Sequence, residues 1–427
     1  MKVLQTVTMF LSEASKAQAK WELDVSRTIF NSKKRLFILF LLLLPAILFS
    51  VAIAADALPT IIGGKEAYGP AFYSPKVFIV SIIVGLCAGL ITGCIGAGGG
   101  FIIAPALMTV GVKGILAVGT DLFHIFAKAI MGTAVHKKLG NVSVGLAIAF
   151  LVGSVIGATA GGLLNRTLYD INPVLSDAFI SMVYTVLLGF LGIYSLLDFL
   201  KLRKAPGDVG AHHGESPKGA VATSGKVGLP AKLQASKIPP LIRFDEDLVP
   251  GGKTIPALYV ALAGLVVGLA AAIMGVGGGF LTFPIFVYVL GVSSFTTVGT
   301  DILQIIFTAG YASITQYAIY GFVFYTLAMG MLLGSLIGIQ IGALTTKVVK
   351  GIYIRGFYAV SILAGFLNRG FSIPGKLNSL KIVSIPKSTL AVIDTLGTWI
   401  FFVIIGLFAL WVMSKFFTNI PSLREEV

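Results

Sequence analysis

The chain has 427 residues, of which 56% are hydrophobic and 12% charged, and its formal net charge is +14. Soluble domains carry about 25% charged residues, so half of the usual surface charge is missing, and soluble, disordered and collagen-like chains are excluded. Two cysteines and four histidines supply neither a disulfide framework nor a zinc site.

In chain order, residues 1–35 come first. Leu4, Val7, Leu11, Ala14, Trp21 and Val25 follow steps of three and four, interrupted by Gln18, and outline an apolar helical stripe. An amphipathic helix on the cytoplasmic leaflet and a loosely ordered tail both fit this pattern. Segment 36–75 opens with an apolar span at 36–56, preceded by Lys33-Lys34-Arg35. Ala52-Ile53-Ala54 has the form of a signal-peptidase site, but the long basic region before it favours an uncleaved span with the N-terminus inside.

A helix crossing the hydrocarbon core needs about 20 mostly apolar residues. Further spans are predicted at 76–95, 114–136, 141–164, 174–200, 255–275, 295–318, 321–345, 350–368 and 389–414. Shorter apolar pieces at 100–112 and 279–291 follow Gly-rich breaks and read as half-helices or re-entrant segments. Residues 201–254 form a polar, basic loop of linker composition, which separates one membrane unit at 76–200 from a second at 255–368. A loop, a final span and a short tail fill 369–427. Basic residues sit mainly in loops and at span ends, which fits cytoplasmic loops under the positive-inside rule rather than nucleic-acid binding. His212-His213 lies in the linker with no cysteine nearby.

The two membrane units repeat each other. Gly96-Ala97-Gly98-Gly99-Gly100-Phe101 recurs as Gly275-Val276-Gly277-Gly278-Gly279-Phe280 at an offset of 179, and Pro105 recurs as Pro284. Val118-Gly119-Thr120-Asp121 recurs as Val298-Gly299-Thr300-Asp301 at 180, and Gly153-Ser154-Val155-Ile156-Gly157 as Gly334-Ser335-Leu336-Ile337-Gly338 at 181. The expected fold is an all-α integral membrane protein of about ten transmembrane helices in two repeats with broken or re-entrant segments. Each half counts an odd number of crossings, which would insert the halves in opposite orientations. That organisation points to a secondary transporter.

Two constellations carry candidate chemistry. The glycine runs, Gly96, Gly98, Gly99 and Gly100 with Gly275, Gly277, Gly278 and Gly279, can present several backbone N–H groups to a small anion, or they pack helices closely. Asp121, His124 and Lys128 share one helical face, and the second half places Asp301, Gln304 and Thr308 at the same positions. An ion at the bilayer centre costs about 2.5–3.5 kcal/mol, so this face is expected to line protein or a wet cavity. His124 and Lys128 would attract an anion, with Thr120, Thr300 and Gln304 as polar partners. Asp121 and Asp301 would carry a proton or fix the helix start. His136 with Lys137-Lys138 reads as a cytoplasmic boundary.

Gly-x-Gly-Gly-Gly-Phe, a following Pro and Val-Gly-Thr, all present twice, resemble the TauE/SafE sulfite exporter family, also known as the toluene sulfonate uptake permeases. The resemblance covers residues 78–200 and 255–368. It implies two inverted repeats and transport of sulfite, a sulfonate or a sulfate-like anion across the inner membrane, with no cofactor. The Asp121-His124-Lys128 triad departs from the mostly neutral polar pattern expected there. The absence of a GxxxxGK[ST] motif makes a proton or ion gradient the expected driving force. An anion channel or uniporter is the nearest alternative and an intramembrane enzyme a more distant one. The lipid bilayer and the anion are the expected partners, and a homo-oligomer stays open.

Overall fold

The computed structural model describes residues 75–95, 99–138, 142–203, 229–246, 251–346 and 348–420. The stripe at 1–35, the span at 36–56, Gly96, Gly98 and His212-His213 lie outside the described residues. The first half comprises α1 (Pro75–Ile95), the short α2 (Gly100–Thr109), α3 (Gly114–Lys138), α4 (Val144–Ile171) and α5 (Pro173–Leu202). A small insertion follows, with α6 (Leu229–Ala235), β1 (Leu241–Phe244) and β2 (Lys253–Pro256). The second half comprises α7 (Ala257–Met274), α8 (Gly279–Pro284, extended by a π-helical turn to Leu290), α9 (Ser294–Tyr311, extended in π and 3₁₀ turns to Tyr320), α10 (Tyr325–Thr345) and α11 (Gly351–Ser379). Helix α12 (Lys387–Thr418) closes the bundle.

Seven of the described helices are long and apolar enough to cross a membrane, with shorter apolar helices at Phe78–Cys94, Gly100–Thr109 and Gly279–Leu290. Their outward faces carry exposed Leu163, Phe190, Leu262, Ile337, Leu407 and Leu410, a surface suited to lipid. The protein is an integral membrane protein.

Local sequence explains the corners. Asn172 caps α5 by accepting the Val174 N–H at 2.8 Å, and Pro173 occupies the first helical position, where its missing N–H costs nothing. Helix α7 stops at Gly275. Gly275, Gly277 and Gly278 then take φ values of +83°, +68° and +88°, a region that glycine enters without steric cost. The chain folds back there: a Cβ on Gly278 would meet Val267 and Ala271 of α7. In the first half a Cβ on Gly99 would lie 2.6 Å from the Ala88 carbonyl of α1. Both short helices therefore re-enter rather than continue the crossing.

Contacts fix the relation between the halves. Gly119 of α3 faces Tyr317 while Phe126 faces Gly310, so α3 and its counterpart α9 run antiparallel. The fifth helices do the same, because Gly189 of α5 faces Phe366 of α11 and Gly192 faces Leu363. Equivalent helices pointing in opposite directions mean that the repeats are inverted. Each half also lends a helix to the other. Gly85, Gly89 and Gly93 of α1 rest on the backbone of Met331, Ser335 and Ile339 in α10, and Gly153, Gly157 and Gly161 of α4 rest on Ala261, Leu265 and Leu269 of α7. Small residues at every fourth position let these parallel helix pairs approach at backbone contact.

Two regions depart from the hydropathy reading. Part of the supposed linker is folded: Phe244 and Ile255 of the β1–β2 hairpin are buried beside Phe150 and Phe286. Gln234 of α6 donates to the Leu290 carbonyl at 2.7 Å. The Asp245 carboxylate accepts the Ser293 N–H at 3.0 Å and its hydroxyl at 2.7 Å. Four-residue strands in Gly- and Lys-rich sequence carry too little periodicity to announce themselves. Helix α11 also continues to Ser379, beyond the span predicted to end at 368. Its next residues, Asn368 and Arg369, satisfy one another and Thr109 inside the bundle, so the helix need not stop where hydropathy falls.

Candidate functional site

The two re-entrant hairpins meet at the centre. Phe101 and Phe280, which follow the two glycine runs, have ring centroids 6.3 Å apart. A Cβ on Gly100 would fall 3.0 Å from the Val276 Cα, and one on Gly277 would strike Ile125 of α3. Gly99, Gly100, Gly275, Gly277, Gly278 and Gly279 are thus brought together with α3 and α9. The end of α7 is held by side chains from three helices. Tyr184 donates to the Met274 carbonyl, Tyr317 donates to the Ala272 carbonyl at 2.5 Å, and Asn165 donates to the Ile273 carbonyl at 3.1 Å and to the Tyr317 oxygen at 2.9 Å. These bonds satisfy carbonyls that a helix C-terminus leaves without an internal partner.

The polar face of α9 is closed on itself. Gln304 Nε2 donates to Asp301 Oδ1 at 2.8 Å, and Thr308 Oγ1 donates to Gln304 Oε1 at 2.9 Å. Ser154 of α4 lies 2.8 Å from the Thr308 hydroxyl. A Cβ on Gly279 would lie 3.1 Å from Asp301 Oδ2, so the carboxylate sits against the start of α8. The protein's own carboxylate occupies that glycine turn in this conformation.

The matching face of α3 is not closed. Asp121 and His124 are fully buried. His124 Nε2 lies 2.9 Å from the Ser335 hydroxyl of α10, and Nδ1 lies 3.4 Å from Asp121 Oδ1. Neither Asp121 oxygen, nor His124 Nδ1, nor the enclosed Lys128 Nζ has a hydrogen-bond partner. Native interiors pair nearly all such atoms, and each exception calls for an explanation. Lys128 stands 14 residues into a 25-residue helix, about 21 Å of rise from its start, and so lies well inside the helix rather than at either end.

Thr120 and Thr300 are placed in the framework. Thr120 Oγ1 accepts the Phe324 N–H at 3.0 Å, and Thr300 Oγ1 accepts the Ser143 N–H at 3.0 Å, each across the repeat boundary. Among the described residues no group of three or more His, Cys, Asp or Glu could hold a metal ion.

This arrangement, two inverted units with glycine-broken hairpins meeting at a buried polar face, agrees with sequence comparison. The sulfite exporter TauE/SafE family matches residues 81–368. The chain belongs to that family. A probable membrane transporter protein of Bacillus subtilis, YunE, is 25% identical over 279 residues, covering 62% of this chain and 87% of that protein. A second from the same organism, YjnA, is 25% identical over 267 residues, covering 61% and 87%. A probable membrane transporter protein of Xylella fastidiosa is 24% identical over 268 residues, covering 62% and 84%. No solved structure matches. The TauE/SafE protein described here is therefore a multi-pass membrane transporter.

Sequence reasoning missed several members of this centre. Ser154 and Ser335 stand inside the repeated Gly-Ser-x-Ile-Gly block, and their recurrence was the available signal. Asn165 is a lone amide within α4. Tyr184 is hidden among apolar neighbours, and nothing in its local pattern marks it.

Proposed function

We propose that this TauE/SafE transporter moves a small sulfur-containing oxyanion by alternating access, with the Asp121-His124-Lys128 face as the binding and coupling centre. The observation that carries this reading is the set of buried atoms without partners on α3. A buried charged group with unmet hydrogen bonds is costly, and an incoming ligand that supplies them recovers the cost. An oxyanion has acceptors for Lys128 Nζ and a protonated His124, and a proton delivered to Asp121 removes one of two opposing charges. Gln304 and the glycine turns offer further donors, and Asp301 holds α8 in place until it moves.

Sidedness follows from charge. The helix directions put the insertion, the end of α5 and the starts of α7 and α11 at one face, with Lys201, Arg203, Lys232, Lys237, Arg243, Lys253 and Lys350 alongside Asp198, Asp245 and Glu246. The opposite face carries Lys113, Arg166, Lys376, Lys381 and Lys387 alongside Asp170, Asp177 and Asp394. The positive-inside rule assigns the insertion face to the cytoplasm.

The test is uptake of sulfite, sulfate and thiosulfate into proteoliposomes, with and without an imposed pH gradient. Saturable flux of one anion that follows the gradient is expected, and Lys128→Ala should weaken the affinity behind it. Saturable flux indifferent to the gradient would remove the proton from the proposal. Non-saturating flux would replace the transporter cycle with a channel.

A further inference from the structure

A second group of cations lies at the extracytoplasmic end, where α2 ends, α5 begins and α11 runs on towards α12. A cavity of about 370 Å³ opens there, lined by Thr109, Arg369, Ser372, Lys376 and Asp394 among others. Arg369 is only 2% exposed. Its Nε and Nη2 donate to Asn368 Oδ1 at 2.9 and 2.6 Å, and Nη2 also reaches Thr109 Oγ1 at 2.6 Å. Lys376 Nζ donates to Ser181 Oγ at 2.8 Å and to the Asp177 carbonyl at 3.1 Å. These bonds aim both cations while leaving Arg369 Nη1 and the third Lys376 donor unused.

Neither cation forms an ion pair among the described residues. The Asp177 carboxylate is engaged instead by the Gly114 N–H at 2.6 Å, and Asp394 lines the cavity from an exposed position on α12. The repeat gives a control. The first residues of α5 and α11, Pro173 and Gly351, are offset by 178, and at that offset the first half carries Leu191 and Asp198 in place of Arg369 and Lys376. The fold therefore does not require cations at these positions. Tyr184, whose hydroxyl secures the second glycine turn, stands on α5, the helix that also supplies Asp177 and Ser181 to Lys376.

We propose that this cavity is a docking site for a small oxyanion on the extracytoplasmic side, distinct from the Lys128 centre and preceding it on the path inward. A guanidinium edge offers planar, directed donors to an oxyanion, and an ammonium adds a compact charge, while the Ser372 hydroxyl is spent on the Arg369 carbonyl at 2.8 Å. The role in loading rests on the transporter reading; the binding itself does not.

The experiment uses the full chain with sulfite and sulfate as probes. In right-side-out and everted vesicles, Lys376→Gln should raise the sulfite KM from the extracytoplasmic face about tenfold, a loss of about 1.4 kcal/mol. The KM from the cytoplasmic face should stay within about twofold, since one interaction at one mouth is removed. Equal changes from both faces, or none, would overturn the site. Arg369→Lys should retain more of the one-sided affinity than Arg369→Gln, and equal behaviour of the two would also count against it. If the wild type carries no flux from either face, the transporter reading fails, and labelled sulfate binding to the purified protein then decides. Binding lost in Lys376→Gln would uphold the site, and binding absent or unchanged would reject it.

Discussion

The faces of α3 and α9 start from the same template and finish differently. Both begin with Val-Gly-Thr-Asp, both run past a glycine-broken hairpin, and both lie opposite a serine in the repeated Gly-Ser block. On α9, Asp301, Gln304, Thr308 and Ser154 form a chain in which each contact is met. On α3 the same positions hold Asp121, His124 and Lys128, and four of their polar atoms have no partner. The two halves share the framework and differ at two positions of this face, His124 against Gln304 and Lys128 against Thr308. The complete copy holds helices in place, and the incomplete copy is the face proposed above to receive a ligand.

The strongest way to break this comparison is at the shared framework. A Cβ on Gly153 would lie 1.7 Å from the Ala261 carbonyl, and one on Gly334 would lie 1.9 Å from that of Ile82. Gly153→Leu and Gly334→Leu should each prevent recovery of monodisperse protein by size-exclusion chromatography. Tolerance of one but not the other would show that the halves do not share this packing. The next test rebuilds the first half in the image of the second. His124→Gln with Lys128→Thr should abolish anion flux yet raise thermal stability, because it removes a buried ammonium and gives the Asp121 carboxylate the amide donor that Gln304 gives Asp301. A lower Tm would mean that the triad is already satisfied within the fold.

Single substitutions sharpen the contrast. Lys128→Ala removes a charged donor, worth about 1.5–3 kcal/mol, and should weaken anion affinity about 10–100-fold, whereas Thr308→Ala should change it only a few-fold. Equal affinities in the two variants would defeat the assignment. The smallest effect concerns the matched threonines. Thr120→Val and Thr300→Val each lose the acceptor for one buried amide and should destabilise by about 1 kcal/mol apiece, read as similar falls in Tm. A large loss of flux in either without loss of stability would return that threonine to the binding site.

Much of this architecture was legible in the chain because lipid imposes simple rules. Twenty apolar residues mark a crossing, and a glycine run marks a break. Repetition of Gly-x-Gly-Gly-Gly-Phe exposed the two halves, and Asp121, His124 and Lys128 stood out as charge where charge is expensive. What remained hidden depends on distant segments. Nothing local to α9 says that Thr308 meets Ser154, 154 positions away. Arg369 fell beyond a predicted span because polarity reads as an ending, although Thr109 and Asn368 accommodate it inside. The β1–β2 hairpin draws its burial from Phe150 and Phe286, which lie outside the loop that contains it.

The exchange of helices between halves bears on how the chain is made. Helix α1 finds its backbone-contact partner in α10, and α4 finds its own in α7. When α5 leaves the ribosome, the glycine face of α4 has nothing to close against until α7 is complete at Met274, and that of α1 until α10 is complete at Thr345. Each half thus completes its helix packing only with the other, so the closed arrangement of the first must wait for the second. A truncated product ending after α5 would expose both faces together, which makes it a substrate for membrane quality control.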